Sequence, residues 1–296
     1  MTQSRFFPYF LLIILAIIWG SSFILMKLGM YGTNGQPLFT SWQVGAMRLT
    51  FAGLVLLPIA ILHRKKVRFE QLKFIFLVGM IGNGMPAYLF TLAETHIASA
   101  YAGVLNGLTP FFTLLVGMIL FGLRLRWVQL LGVCLGFAGA TGLMMLQSIG
   151  ESLNLYYAAF AILATFFYGI SVNIIHSKLS GVPPVTIAAY ALFFAGLPSA
   201  VYLGFSDFPD RLQTMPGAWA GVGFVAILGI VGTAMALVLF NRLIQMTSGI
   251  FGSMVTYMIP VVAVIWGWFF GEALQWEMLI FAAIIMLGIY LSRIRR

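Results

Sequence analysis

Ten apolar runs follow one another along this chain and leave little room for anything else. They cover about 7–29, 39–62, 73–93, 98–120, 127–147, 155–176, 184–204, 217–241, 248–270 and 277–293. Each is close to the roughly 20 apolar residues that a helix needs to cross the hydrocarbon of a bilayer. Of the 296 residues, 61% are hydrophobic and 8% are charged. Soluble domains carry about 25% charged residues, so the solvent for most of this chain is lipid. The first run is too long for a secretory signal and no small-residue cleavage site closes it, so it reads as a span that stays. No stretch is left for a soluble domain.

The net charge of +9 would raise the question of nucleic acid in a soluble protein. Here the basic residues sit mostly in short joints between apolar runs, where they act as topology signals. With the N-terminus inside, the inner side holds Arg5, Arg64, Lys65, Lys66, Arg68, Lys73, Arg124, Arg126, Lys178, Arg242, Arg293, Arg295 and Arg296. The outer loops hold Arg211 alone, so both termini are expected to be cytoplasmic at a bacterial-type inner membrane. The single cysteine, Cys134, lies in an apolar run and has no partner for an internal disulfide.

The chain also aligns with itself. At an offset of 150, Gly82-Asn83-Gly84-Met85-Pro86-Ala87-Tyr88-Leu89-Phe90 falls on Gly232-Thr233-Ala234-Met235-Ala236-Leu237-Val238-Leu239-Phe240, and Thr109-Pro110 on Ile259-Pro260. At 149, Trp19-Gly20 falls on Tyr168-Gly169. The organisation expected is five spans (1–150) followed by five (151–296). An odd number of spans per copy turns the second copy upside down. The charges agree. The basic inner loop His63–Arg68 corresponds to the net-acidic outer segment Asp207–Arg211, and Arg124 and Arg126 to a segment carrying Glu272 and Glu277. The fold class expected is an all-α integral membrane protein of ten transmembrane helices, two inverted five-helix repeats around a midplane site. Transporters use that architecture for alternating access.

At these residues the chain resembles the drug/metabolite transporter superfamily, in its EamA-type ten-span branch. The resemblance covers essentially the whole chain. It rests on Trp19-Gly20-Ser21-Ser22-Phe23 followed by Lys27, on Arg48, and on small residues before Pro110. In the second copy it rests on the Ala/Gly-rich eighth span, Pro260 and Gly271-Glu272. The family's Leu-Gly-Glu-like turn after the fourth span reads Phe121-Gly122-Leu123 here, without the acid. The resemblance implies a central cavity lined by both halves, and export or facilitated passage of amino acids and similar metabolites. Export of drugs or other organic compounds is the alternative. No Walker loop, zinc-ligand cluster or Ser/His/Asp arrangement stands out, so neither catalysis nor a cofactor is expected. A channel is a third class. The expected partners are a small-molecule substrate and the lipid bilayer, with no nucleic acid. The GxxxG-spaced pairs Gly103/Gly107, Gly132/Gly136 and Gly217/Gly221 read as packing within one subunit, so a monomer is expected, with a dimer as the alternative.

Charge inside a membrane is costly and marks function by default. Arg48 is the deepest, about nine residues into the second run, or roughly 14 Å at 1.5 Å per residue. Its guanidinium suits bidentate pairing with a carboxylate or phosphate; a structural bridge between helices is the other reading. Lys27 can snorkel or pair with Glu94 or Glu272, as a gate. Trp19, Tyr88, Tyr101, Tyr168 and Tyr257, with Asn83, Asn106 and Asn173, are the softer cavity candidates. Pro110 leaves the carbonyl of Asn106 without its helical donor, Pro260 that of Thr256 and Pro86 that of Gly82, which makes the three prolines hinge candidates. The seven acidic residues, Glu70, Glu94, Glu151, Asp207, Asp210, Glu272 and Glu277, all fall in loops or near run ends. No carboxylate is expected at mid-membrane, so tight proton coupling is not expected either. Glu94 with His96 is the one candidate titrating pair. The topology predicts that a cysteine placed at Lys65 is silent to an impermeant reagent added outside intact cells; labelling there from outside would contradict it.

Overall fold

In a computed structural model the chain is described over residues 6–97, 99–124, 126–146, 154–269 and 276–293. Among these residues the regular structure is helical throughout. Seven helical stretches are long and apolar enough to cross a membrane: Phe7–Tyr31, Ser41–Leu62, Phe69–Ala93, Tyr101–Phe121, Leu155–Lys178, Pro184–Phe205 and Ala218–Met246. Three shorter apolar helices, Trp127–Leu143, Gly249–Val262 and Trp276–Ser292, fall on the remaining apolar runs. Large side chains such as Phe10, Ile24, Leu54, Ile119, Leu131, Val201 and Leu287 face outward, a surface that only lipid solvates well.

The elements, in order, are α1 (Phe7–Gly20), α2 (Ser22–Tyr31), α3 (Ser41–Leu62), α4 (Phe69–Gly79), α5 (Met85–Ala93), α6 (Ser99–Asn106), α7 (Thr109–Phe121) and α8 (Trp127–Leu146). They continue with α9 (Leu155–Lys178), α10 (Pro184–Phe205), α11 (Phe208–Thr214), α12 (Ala218–Gly229), α13 (Ala236–Met246), α14 (Gly249–Ser253), α15 (Val255–Phe269) and α16 (Trp276–Arg293). A short 3-10 turn, Arg64–Lys66, follows α3. Two wide turns of π-helix interrupt otherwise continuous helices: Met80–Gly84 joins α4 to α5, and Ile230–Met235 joins α12 to α13. They lie at the same place in the 150-residue register.

Local chemistry sets the ends. Thr40 and Gln43 form a reciprocal capping box that starts α3, which satisfies two orphan donors at once. Asn154 caps α9 and Ser248 caps α14 through their side chains. Gly122, at φ 64°, closes α7 in the left-handed region that glycine enters without penalty. The prolines behave differently from one another. Pro86 and Pro110 sit in the first turns of α5 and α7, just after a break, where a missing N–H is harmless. Pro260 lies inside α15. The carbonyl of Asn106 that Pro110 leaves without a helical donor is taken by the hydroxyl of Thr109 at 2.8 Å.

Close packing uses glycine. α3 runs along α10, and α8 along α16, so the second apolar run meets the seventh and the fifth meets the tenth. Gly53 and Gly196 let α3 and α10 touch backbone to backbone: a Cβ on Gly53 would sit 2.8 Å from the Leu192 carbonyl oxygen. Gly132 and Gly288 do the same for α8 and α16, each Cβ falling within 2.7 Å of the other's carbonyl. The Gly132/Gly136 pair is therefore used inside the subunit. The main core joins Leu11, Leu15, Leu49, Val78, Leu114, Leu192, Phe251 and Ile285 from both halves.

A polar strap crosses the halves at one end. The Gln43 amide donates to Asp207 Oδ1 at 2.7 Å, Arg211 Nε donates to Asp207 Oδ2 at 2.6 Å, and Arg211 also donates to the Leu38 carbonyl at 3.2 Å. The Phe39 and Phe208 rings meet beside it. The Arg211 bond holds the Asp207 carboxyl below the usual carboxylate range. A depressed value means the strap is in place at neutral pH and weakens only as pH falls through it.

Gly79 gives the sharpest packing test. A Cβ there would lie 2.5 Å from the Ala191 carbonyl oxygen, which is backbone and cannot swing away, whereas Gly204 on α10 faces open space. Gly79→Ala is expected to destabilise by about 1–3 kcal/mol, the usual result of overpacking. Gly204→Ala is expected to be neutral or slightly stabilising. Thermal unfolding in detergent of the two variants checks this; equal behaviour would contradict the packing.

Candidate functional site

A cavity between the two halves encloses about 890 Å³ of empty space, part of it open. Its lining is built in register. At an offset of 149 it pairs Trp19 with Tyr168, Ser22 with Ser171, Phe23 with Val172 and Met26 with Ile175. At 150 it pairs Gly82 with Gly232, Asn83 with Thr233, Phe90 with Phe240, Asn106 with Thr256 and Thr109 with Ile259. Only Arg48, Leu237, Ser253 and Val255 line it without a mate in the lining.

The aromatic contacts repeat as well. Trp19 packs edge-on against Phe240 with ring centres 5.0 Å apart, and their mates Tyr168 and Phe90 lie 6.0 Å apart, nearly parallel. The two π segments come into the wall through their glycines. Gly82 packs on the Ser171 hydroxyl too closely for a side chain at the glycine, and Gly232 packs tightly on that of Ser22, where a Cβ would lie 3.0 Å away. Each π segment is closed by a side chain reaching five residues back. The Asn83 amide donates to the Val78 carbonyl at 2.9 Å, and the Thr233 hydroxyl to the Leu228 carbonyl at 3.1 Å. The Trp19 indole N–H donates to the Gly232 carbonyl at 3.0 Å, which ties α1 to the second π segment.

Among the described residues Arg48 is the one charged residue in this lining. It reaches from α3 to the second half, where its Nε donates to Thr233 Oγ1 at 2.7 Å. Its Nη1 meets only the Met26 sulfur, at 3.9 Å. Among the described residues no carboxylate lies within ion-pair distance of it. A guanidinium carries five donors, so several remain for a guest. The walls around it are aromatic, hydroxylic and amidic, with no acidic side chain among the described residues.

Five of the nine residues expected at the cavity are in its lining: Trp19, Arg48, Asn83, Asn106 and Tyr168. Four are elsewhere. Tyr88 bonds Ser199 at 2.8 Å and packs on Trp42, between α5, α3 and α10. Tyr101 joins an aromatic cluster with Phe23, Tyr157 and Phe160. Asn173 donates to the carbonyls of Thr113 and Gly169, both at 2.8 Å, and so holds α9 to α7. Tyr257 is 0% exposed; its ring rests on Gly136 and its hydroxyl donates to the Val133 carbonyl at 3.0 Å. Of the gate candidates, Lys27 is half-buried on α2 and Glu94 is buried at the C-terminal end of α5. His96 stacks on Tyr157, away from the cavity. Glu272 lies outside the described residues. Lining residues that sequence reasoning passed over include Ser22, Ser171, Thr233 and Phe240. The self-alignment already carried the signal for one of them, since Thr233 is the mate of the candidate Asn83.

Comparison with known proteins settles the family. The model of the EamA-like transporter family matches residues 6–145 and again 155–294. The chain belongs to the EamA-like transporter family. Like other members it is a membrane transporter, and several of its relatives carry transporter names. It is 27% identical over 300 residues to the "Uncharacterized inner membrane transporter YedA" of Escherichia coli (strain K12), covering 94% of this chain and 90% of that protein. It is 23% identical over 263 residues to the "Probable terminal-alkyne amino-acid exporter" of Streptantibioticus cattleyicolor, covering 86% of this chain and 82% of that one. A solved crystal structure, 17% identical, matches with a TM-score of 0.70 over 98% of both chains, which speaks to the fold alone.

Proposed function

We propose that this EamA-like transporter moves amino acids and similar carboxylate-bearing metabolites out of the cell, by alternating access across an inner membrane. One observation carries the reading: a central cavity walled by repeat mates, with a single fixed positive charge and no acidic side chain in its described lining. A carboxylate neutralises Arg48, while an organic cation finds no counter-charge there. The name of the Streptantibioticus cattleyicolor relative, an amino-acid exporter, supports the same substrate class. Export of other small organic compounds is the second reading, favoured by the aromatic walls of Trp19, Phe23, Phe90, Tyr168 and Phe240.

In this proposal the seven long helices and the three shorter ones make ten spans, in inverted halves 1–150 and 151–296, with both termini cytoplasmic. The double family match at 6–145 and 155–294 supports the division into halves. Trp19, Arg48, Asn83, Asn106 and Tyr168 contact the substrate. Pro86, Pro110 and Pro260, each near a helix break or inside a cavity helix, act as hinges as the halves rock. Lys27, Glu94 and Glu272 belong to the outer gate. The protein works as a monomer with lipid and substrate as its partners, and needs no cofactor.

The described lining holds no titrating carboxylate, and a guanidinium stays protonated across the physiological range. Flux therefore follows the substrate gradient. In sealed liposomes loaded with unlabelled amino acids, labelled amino acid is expected to exchange without any ion gradient and to change little under an imposed pH step. Strict dependence on a proton gradient, abolished by Glu94→Gln, would contradict the facilitator reading.

A further inference from the structure

Arg48 is a long, flexible side chain, yet it is held in one place. A guanidinium can only donate, so in the 2.7 Å contact the Thr233 hydroxyl must accept from Arg48 Nε. The hydroxyl's own hydrogen then goes to the Leu228 carbonyl, 3.1 Å away. Both functions of one small group are used, and each fixes the other. The repeat mate shows which duty is shared. Asn83 also closes its π segment onto the carbonyl five residues back. Accepting from a cavity arginine is extra, because the residues of the second half that correspond to Arg48 are Leu197 and Pro198, which carry no charge.

With Nε occupied, a carboxylate cannot take the side-on approach through Nε and one Nη. It is left with the end-on pair of Nη groups, which have no oxygen partner among the described residues and meet only a sulfur at 3.9 Å. We infer that Thr233 is a positioning residue for carboxylate recognition: it holds Arg48 by Nε and presents the two Nη groups to the substrate. Because the same hydroxyl closes the π segment at Ile230–Met235, the anchor and that segment move as one piece. This inference rests on the reading that Arg48 meets the substrate.

The test is binding to the purified full chain, with 3-phenylpropionate as probe and 3-phenylpropionamide as its neutral counterpart. The wild type is expected to prefer the acid. Thr233→Val, which keeps the shape and loses both functions of the hydroxyl, is expected to weaken acid binding about tenfold and leave amide binding unchanged. Thr233→Ser restores the acid preference. Thr233→Asn restores it too, since an amide can accept from Arg48 and donate to Leu228 as Asn83 donates to Val78. On an Arg48→Gln background Thr233→Val adds nothing further. Equal loss of acid and amide, no loss of the acid, or a further loss on the Arg48→Gln background would overturn the role of Thr233 while leaving the Arg48 reading standing. A wild type without acid preference, or one that binds neither probe, would remove the Arg48 reading and this inference with it.

Discussion

A backbone that leaves water must find its hydrogen bonds within the protein, and the broken helices of this chain show how that demand shapes the cavity. Where the helical ladder is interrupted, side chains close several of the gaps. Thr109 takes the Asn106 carbonyl, Asn83 that of Val78, Thr233 that of Leu228 and Trp19 that of Gly232. All four of these side chains have a mate in the cavity lining. The breaks therefore do two things together. They widen the helices at matching places in the 150-residue register, and they commit small polar side chains to the wall of a cavity. Non-helical backbone at membrane depth is tolerated where it is buried or lines such a space, and π turns of this kind mark functional sites in many proteins.

Much of this was legible in the sequence. The apolar runs gave the helices, and the self-alignment gave the register. That register picked out Trp19 with Tyr168 and placed Asn83 opposite the position of Thr233. What the sequence could not supply was rotation. These helices are apolar nearly all round, so no stripe says which side faces the middle, and each residue turns the direction by 100°. Asn173 and Tyr257 were reasonable candidates as polar groups in spans, yet each faces a neighbouring helix and satisfies backbone carbonyls there. The hydroxyls of Ser22, Ser171 and Thr233 were passed over for a related reason. Such groups in helices commonly bond their own backbone, and nothing in the sequence marks those that also face a cavity. The π turns had no sequence signal beyond paired glycines, in a chain with 32 of them.

The repeat makes the departure from symmetry informative. Two copies of one design would give a site with like walls, suited to a guest with like ends. Arg48 gives one wall a charge and ties it to the second π segment through Thr233, while the first π segment has no corresponding tie among the described residues. The site thus sets one fixed charge among aromatic walls. In the function proposed above, that charge takes the carboxylate of an amino acid and the aromatic walls take its side chain. The site also links that charge to one of the two π segments.

The central claim is that one cavity opens in turn to the two sides of the membrane. Phe23 lines that cavity and is partly exposed to it. With Cys134, the only natural cysteine, replaced by alanine, a cysteine at Phe23 can be probed with an impermeant maleimide in oriented vesicles, added to either face. The account predicts labelling from both faces, slowed on both by an amino acid that exchanges in liposomes, and unchanged at a lipid-facing control cysteine in place of Leu54. Labelling from one face only, under every condition, would contradict it.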